Sequence, residues 1–331
     1  MDTRIVERLR CPVCGAPLSE VAAGTARALR CPHRHTFDVA RQGYVNLLAG
    51  RAPHVGDTAE MVAARAGFLA AGHYDLVSDA LAGAATEAVA RYRAGHPPAL
   101  CAASAHPPET SVHAPATAPG PYAAVGGAHQ PDTASGPSFR ACPLVVDAGG
   151  GTGWHLAAVL AALPDAVGLA LDVSKPALRR AARAHSRAVA ALADTWQRLP
   201  LVDASTAVLL NVFAPRNGAE FRRVLHPAGT LLVVTPAEDH LAELVDALDL
   251  LKVDPAKADR VAASLGGHFV EESGSGHRTR LALSRAEVAT LVAMGPSAWH
   301  ADPAGLTARI AALPEPAAVT VSVRLGVHRP R

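Results

Sequence analysis

The sequence predicts an α/β chain: a mixed, mostly parallel seven-stranded sheet with helices on both faces, preceded by a small cysteine-bearing ribbon. Three observations predict it. From Pro143 onward, apolar strands alternate with helical segments, the texture of parallel βαβ units. The first of those strands runs into a glycine-rich turn, Asp147-Ala-Gly-Gly-Gly-Thr-Gly153, which opens a helix. Upstream, Cys11-Pro-Val-Cys14 and Cys31-Pro-His-Arg-His35 set four soft or borderline metal ligands at C-x2-C and C-x3-H spacing. The 331 residues, 50% of them apolar, suffice for one full α/β domain plus a smaller module.

The ribbon comes first, over residues 1–45. Zinc takes thiolates and imidazole tetrahedrally, and a C-x2-C loop puts two sulfurs on one side of the ion. Cys11, Cys14, Cys31 and His35 are the expected ligands. His33 is the rival to His35, but C-x3-H reaches a tetrahedral corner more comfortably than C-x-H. A piece this short lacks a core of its own and folds around its metal. Residues 1–51 hold eight arginines against four acids in a chain of net charge +2. That suits a phosphate backbone gripped by Arg10, Arg30, Arg34 and Arg41, although a merely solvated surface has the same composition. Of five cysteines, Cys101 and Cys142 lie outside the metal set, which argues for a reducing cytosol and against a disulfide scaffold. MDTRIVERLR contains no apolar signal core, and no run of about 18 apolar residues offers a membrane span. The expected location is cytoplasmic, with no membrane partner.

Residues 46–94 read as a helical connector contributing to the cofactor site. Asp57 or Thr58 caps the first helix, and Met61, Arg65, Phe68 and Leu69 share one face of it. Gly72-His73-Tyr74 breaks the pattern before a second helix. Residues 95–141 are rich in Pro, Ala, Gly, Ser and His without apolar period, the composition of a disordered insertion. The catalytic domain is expected over 142–331. Its strands are Leu144–Val146, Val167–Leu171, Ala188–Leu192, Ala207–Val212, Gly229–Thr235, Arg280–Leu283 and Val319–Leu325. Helices start near Trp154 and cover Lys175–Ser186 and Ala219–Leu225, with Ser174 as cap and Pro176 in the first turn of the second.

Asp147, Gly149, Gly151, Thr152 and Gly153 form a D-x-G-x-G-x-G run, distinct from the G-x-G-x-x-G dinucleotide fingerprint in having an acid at the strand end. A second acid, Asp172, ends the next strand, placed to accept hydrogen bonds from ribose hydroxyls. This pairing resembles the class I S-adenosylmethionine-dependent methyltransferases. There is no G-x4-G-K-[ST], so ATP hydrolysis is not expected. Asp194, after the third strand, is either an adenine contact or a helix cap.

Taken with the ribbon, these motifs resemble the bacterial 23S rRNA guanine-N1-methyltransferase family in its tylosin- and mycinamicin-resistance branch. The resemblance also rests on Thr36-Phe-Asp-Val-Ala-Arg-Gln-Gly-Tyr-Val-Asn-Leu47, Gly56-Asp-Thr-Ala-Glu-Met61, Gly72-His-Tyr74, Leu171-Asp-Val-Ser-Lys175, Thr235-Pro236 with His240-Leu241, and Pro296-Ser-Ala-Trp299. It implies structural zinc on Cys11, Cys14, Cys31 and His35. It implies S-adenosylmethionine held by Tyr74, Gly151, Thr152 and His240; alone, Tyr74 reads as a core aromatic and His240 as a surface histidine. Gly150 stands where many members have cysteine, a change expected to be harmless.

The implied partner is 23S rRNA, and a homodimer is left open. The implied reaction is methylation at N1 of a guanine in a hairpin loop lining the peptide exit tunnel, with macrolide resistance as the consequence. Such a donor is already activated, so the protein chiefly positions the nucleophile. Phe213, in Asn211-Val-Phe-Ala-Pro215 at the end of the fourth strand, is a stacking platform for the base or a core residue. Asp57, Glu60, Asp239 and His240 are candidates for taking the N1 proton. The rival readings are a zinc-ribbon methyltransferase acting on a small macrolide-type molecule, and a non-catalytic RNA-binding module with a vestigial cofactor fold.

Overall fold

The computed structural model describes residues 1–23, 26–50, 56–94, 142–250, 257–295 and 302–331. The insertion expected over 95–141 and the Pro296–Trp299 motif lie outside them.

The N-terminal module opens with a short helix, α1 (Thr3–Val6). An antiparallel sheet follows, made of β1 (Ser19–Ala23), β2 (Ala26–Arg30) and β3 (Thr36–Asp38). Then come β4 (Val45–Asn46) and two helices, α2 (Ala59–Ala70) and α3 (Asp75–Ala94). Of the two possible caps, Thr58 is the one used: its hydroxyl accepts from the Met61 N–H.

The large sheet contains β5 (Leu144–Ala148), β6 (Val167–Asp172), β7 (Ala188–Leu192), β8 (Thr206–Val212), β9 (Leu225–Pro236), β10 (Phe269–Leu283) and β11 (Ala317–Pro330). Its order is β10-β11-β9-β8-β5-β6-β7-β4, with β11 antiparallel to both neighbours and the remaining pairs parallel. The seven expected strands are present. An eighth, β4, comes from the N-terminal module and pairs beside β7. Seven more helices occur among the described residues: α4 (Trp154–Ala162), α5 (Lys175–Ala181), α6 (Gly218–Val224), α7 (Ala242–Leu248), α8 (Lys257–Leu265), α9 (Arg285–Ala293) and α10 (Pro303–Ala311). The strand order reverses at β5, which lies between β6 and β8. Crevices form there, beyond the carboxyl ends of the strands.

Strand side chains alternate faces, and the two faces bury different partners. Val145 points into a core with Phe68, Leu69, Leu81, Leu156 and Leu178, from α2, α3, α4 and α5. Leu144 and Val146 point the other way, toward Phe221 and Val224 of α6 and toward Ile5, Leu9, Leu29 and Leu47 of the N-terminal module. The ribbon thus covers part of one sheet face, as a helix would. Arg8 fixes the join. It is 1% exposed, and its guanidinium donates to the Cys142 and Arg4 carbonyls. Arg8 is therefore withdrawn from the basic surface that the charge count of residues 1–51 implied.

Candidate active site and metal centre

The four ribbon ligands converge. Cys14 Sγ lies 3.7 Å from Cys31 Sγ, and His35 Nδ1 lies 3.4 and 3.6 Å from the sulfurs of Cys31 and Cys11. All four donor atoms fall within 4.8 Å of one another. Tetrahedral zinc, with bonds of about 2.3 Å to sulfur and 2.0–2.1 Å to nitrogen, requires edges of about 3.8 Å between sulfurs and about 3.6 Å from sulfur to nitrogen. The donor set fits zinc. His33 stays outside it, with Nδ1 3.3 Å from Cys14 Sγ.

A cleft of about 830 Å³ lies at the reversal point. Asp57, Tyr74, Asp147, Gly149, Gly151, Thr152, Asp172, Asp194, Phe213 and His240 line it, as expected for a common site. Three candidates do not line the cleft. Gly153 is the left-handed N-cap of α4. Glu60 is an exposed first-turn residue of α2, and Asp239 is half-exposed and paired with Arg278 at 2.8 Å. Both sit a few residues or fewer from a lining residue, close in sequence but turned away.

The glycine loop is shaped by its neighbours. Gly149 has φ +77°, and a Cβ there would lie 2.5 Å from the Ala214 Cβ, so only glycine fits. The Gly149 and Gly150 N–H groups donate to the Leu171 carbonyl, at 2.9 and 3.0 Å. The Gly151 N–H donates to Asp172 Oδ2 at 2.8 Å, and the Ser174 N–H to Asp172 Oδ1 at 2.8 Å. Asp172 therefore pins the loop as well as facing the cleft. A Cβ on Gly150 would approach the Asp147 carboxyl to 2.9 Å. Glycine here leaves the Asp147 side chain undisturbed, whereas a cysteine would require it to turn.

Two buried oxygens of cleft-lining residues, Asp147 Oδ1 and Asp194 Oδ2, have no hydrogen-bond partner within the protein. Buried acceptors are normally satisfied, so these call for a ligand that brings donors. S-adenosylmethionine carries them as an amino group, ribose hydroxyls and an ammonium. No helix follows Asp194, so it caps a turn and not a helix: Oδ1 accepts from the Trp196 N–H at 2.9 Å, and Oδ2 has no partner within the protein. Burial, reinforced by the nearby Asp172 charge, raises the Asp147 pKa to about 7.

At the other end of the cleft, Tyr74, Phe213 and His240 form a triangle with ring centroids 6.0 to 6.3 Å apart. The Ser322 N–H donates to His240 Nδ1 at 3.2 Å, so the neutral ring carries its hydrogen on Nε2, 3.4 Å from the Tyr74 hydroxyl. The Tyr74 hydroxyl accepts there and keeps its own hydrogen to donate; burial pushes its pKa up. With both nitrogens committed, His240 is badly placed to accept a proton. Phe213 is 40% exposed and holds φ at +53°. A left-handed non-glycine backbone costs about 1–2 kcal/mol and aims the ring outward, so Phe213 is not a core residue.

The residue reading missed Arg65 and Trp196 as cleft residues. Arg65 shares the Leu69 face of α2, as its spacing predicts, and from there reaches the Asp57 carboxylate and donates to the Met294 carbonyl at 2.9 Å. A charged residue on an apolar stripe was the available signal. Trp196, 54% exposed, lines the cleft two residues after Asp194. On the ribbon, Arg30, Arg34 and Arg41 are exposed. Arg10 is half-buried and donates to the Glu7 and Leu9 carbonyls, so it belongs to the fold more than to a free basic surface.

Sequence comparison agrees with this geometry. A family model described as "RlmA, N-terminal", a zinc ribbon, matches residues 9–52. The chain is 60% identical over 330 residues, the full length of both proteins, to a Micromonospora griseorubida protein described provisionally as a 23S rRNA (guanine-N1)-methyltransferase. The chain belongs to the 23S rRNA (guanine-N1)-methyltransferase family. A second member, the 23S rRNA (guanine(748)-N(1))-methyltransferase of Streptomyces fradiae, is 48% identical over 100% of this chain and 99% of its own. A Bacillus subtilis member is 28% identical over 88% of this methyltransferase and 87% of its own length.

Proposed function

We propose that this methyltransferase moves the methyl group of S-adenosylmethionine to N1 of the guanine of 23S rRNA that its Streptomyces fradiae relative modifies, guanine 748. The observation that carries the reading is a cleft with unsatisfied buried acceptors, Asp147 Oδ1 and Asp194 Oδ2, and an outward-facing aromatic, Phe213, on one wall. The donor supplies an activated sulfonium carbon. The chain supplies Asp172 for the ribose hydroxyls, Asp194 for the adenine amino group, and Asp147, Gly151, Thr152, Tyr74 and His240 around the rest. Phe213 stacks on a guanine unstacked from its hairpin loop, where extrusion is cheaper than from a duplex.

Transfer is a single displacement: the sulfur–methyl bond breaks as the methyl–N1 bond forms, and the N1 proton leaves. Of the four acceptor candidates, Asp57 is the one that lines the cleft with a carboxylate, oriented by Arg65. Residues 1–45 then serve as the zinc-pinned RNA-recognition module, 46–94 complete the cofactor site, and 142–331 carry the transfer. No described helix is long and apolar enough to cross a membrane; a ribosomal RNA substrate places the work in the cytoplasm, where ribosomes assemble. A methyl on a tunnel-lining guanine adds bulk and removes a donor, which weakens macrolide binding.

Primer extension on 23S rRNA from cells with and without the gene tests the reading. The expected result is a new stop at guanine 748, because an N1 methyl blocks Watson–Crick pairing. No new stop, together with methyl transfer to a small molecule that persists after RNase treatment, would replace it with the small-molecule reading.

A further inference from the structure

Most arginines of the described residues are answered by a carboxylate or a backbone carbonyl: Arg4 by Asp2, Arg27 by Glu20, Arg93 by Asp165, Arg223 by Glu220, Arg324 by Glu271, and Arg187 by three carbonyls. A few exposed cations stand outside such pairs. Arg30, Arg34 and Arg41 belong to the ribbon. Lys175, Arg179, Arg180 and Arg183 belong to α5 and the turn after it. Arg280 on β10 stands apart from both groups, in the field of Glu243.

We infer that α5 is a second phosphate-binding surface, continuous with the ribbon, that holds the RNA strand beside the cleft; this rests on the RNA-methylating reading above. Lys175 and Arg179, four residues apart on α5, share one helical face at a rise of about 6 Å, and Arg183 follows in the turn just past the helix end. That matches the order of the spacing between successive phosphates along a single strand. Between α5 and α2 runs a groove of about 410 Å³, lined by Ala59, Val62, Pro176, Arg179, Arg180 and Arg183. Its lining is half apolar and half cationic, and no acid lines it.

Both ends of this row connect to parts the reaction needs. At one end, the cap Ser174 packs against Gly56 and its hydroxyl donates to the Asp57 carbonyl at 2.7 Å, at the cleft wall. At the other, Ala182 lies against Gly43 of the ribbon, two residues from Arg41. Exposed arginines left without counter-charge raise the positive potential locally, and a polyanion supplies the counter-charge with release of its own ions.

The test is binding of a hairpin transcript carrying the target guanine, followed by fluorescence anisotropy over a salt series. Arg179→Gln with Arg183→Gln is compared with Arg91→Gln with Arg93→Gln, an equal loss of charge on α3. The α5 pair should weaken hairpin binding by 10-fold or more. It should also reduce the slope of log K against log salt by about 1.5, near 0.7–0.9 for each phosphate no longer neutralised. KM for RNA rises while S-adenosylmethionine affinity holds. An unchanged slope and KM, or an equal effect of the α3 pair, overturns the α5 surface while wild-type RNA binding leaves the methyltransferase reading intact. If wild type itself fails to bind the hairpin, that reading and this inference fall together. Preference for anionic vesicles over the hairpin would assign the row to a lipid surface and overturn its RNA role.

Discussion

Asp147 shows how much one buried carboxyl can dictate. Its pKa of about 7 lies above the ordinary 3.8, so the folded chain holds a proton that the unfolded chain releases between those values. Folding stability therefore declines as pH rises from about 4 toward 7 and then levels off, by up to a few kcal/mol. Asp147→Asn removes that decline. Melting curves of the cofactor-free protein should show the variant above wild type at pH 8 and the two converging near pH 4; equal melting temperatures at pH 8 would refute it. Cofactor affinity moves the other way, because the carboxylate charge is lost and one of its two acceptor oxygens becomes an amide donor. Phe213 makes a second test. Base stacking is worth about 1–3 kcal/mol, so Phe213→Ala should cut kcat/KM for RNA by about 5-fold or more with cofactor affinity unchanged. A matching loss of cofactor affinity would place the ring in the cofactor site instead. The acid-ended glycine run was legible because it needs special backbone at fixed offsets. The His240 tautomer was not, since it depends on a Ser322 N–H 82 residues away.

Helix α2 ties the cap at Thr58 to the cleft through Arg65. Losing the Thr58 hydroxyl frees the first turn of a helix that holds Asp57 and Arg65 in register. Thr58→Ala should lower stability by about 1 kcal/mol, read by urea unfolding, and raise KM for the cofactor more than it changes kcat. Strand β10 teaches the opposite lesson about legibility. Only Arg280–Leu283 read as strand, yet it extends over Phe269–Leu283 and pairs along its length with β11. It is an edge strand, mostly exposed, so nothing forces an apolar alternation on it; its glutamates, glycines and arginines guard a free edge. Helix α5 stops at Ala181, short of the expected Ser186, because the chain turns at Arg183 and Ala184 to enter β7.

At the scale of the molecule, the ribbon and the sheet share one core. Leu29 and Leu47 sit in the same cluster as Leu169 and Val189, Leu9 bridges to Leu201, and Arg8 is sealed between them. Removing zinc should therefore lower the melting temperature of the whole protein in one transition. A separate low-temperature transition for the ribbon, seen by calorimetry with and without a chelator, would show two independent units. No described residue before Gly56 lines the cleft, so cofactor binding at low temperature should survive chelation better than RNA binding does.

By itself the sequence determined the metal set, the glycine loop with its two acids, and the alternation that makes a parallel sheet. Each is a local pattern whose spacing is imposed by bond geometry or by backbone period. Only the tertiary structure decided that Arg8 and Arg10 belong to the fold while Arg179 and Arg183 remain unanswered, that Glu60 and Asp239 face away, and that β4 completes the sheet from the other end of the chain. Those outcomes depend on which distant group lies within hydrogen-bonding reach of a side chain, and spacing along a chain carries no record of that.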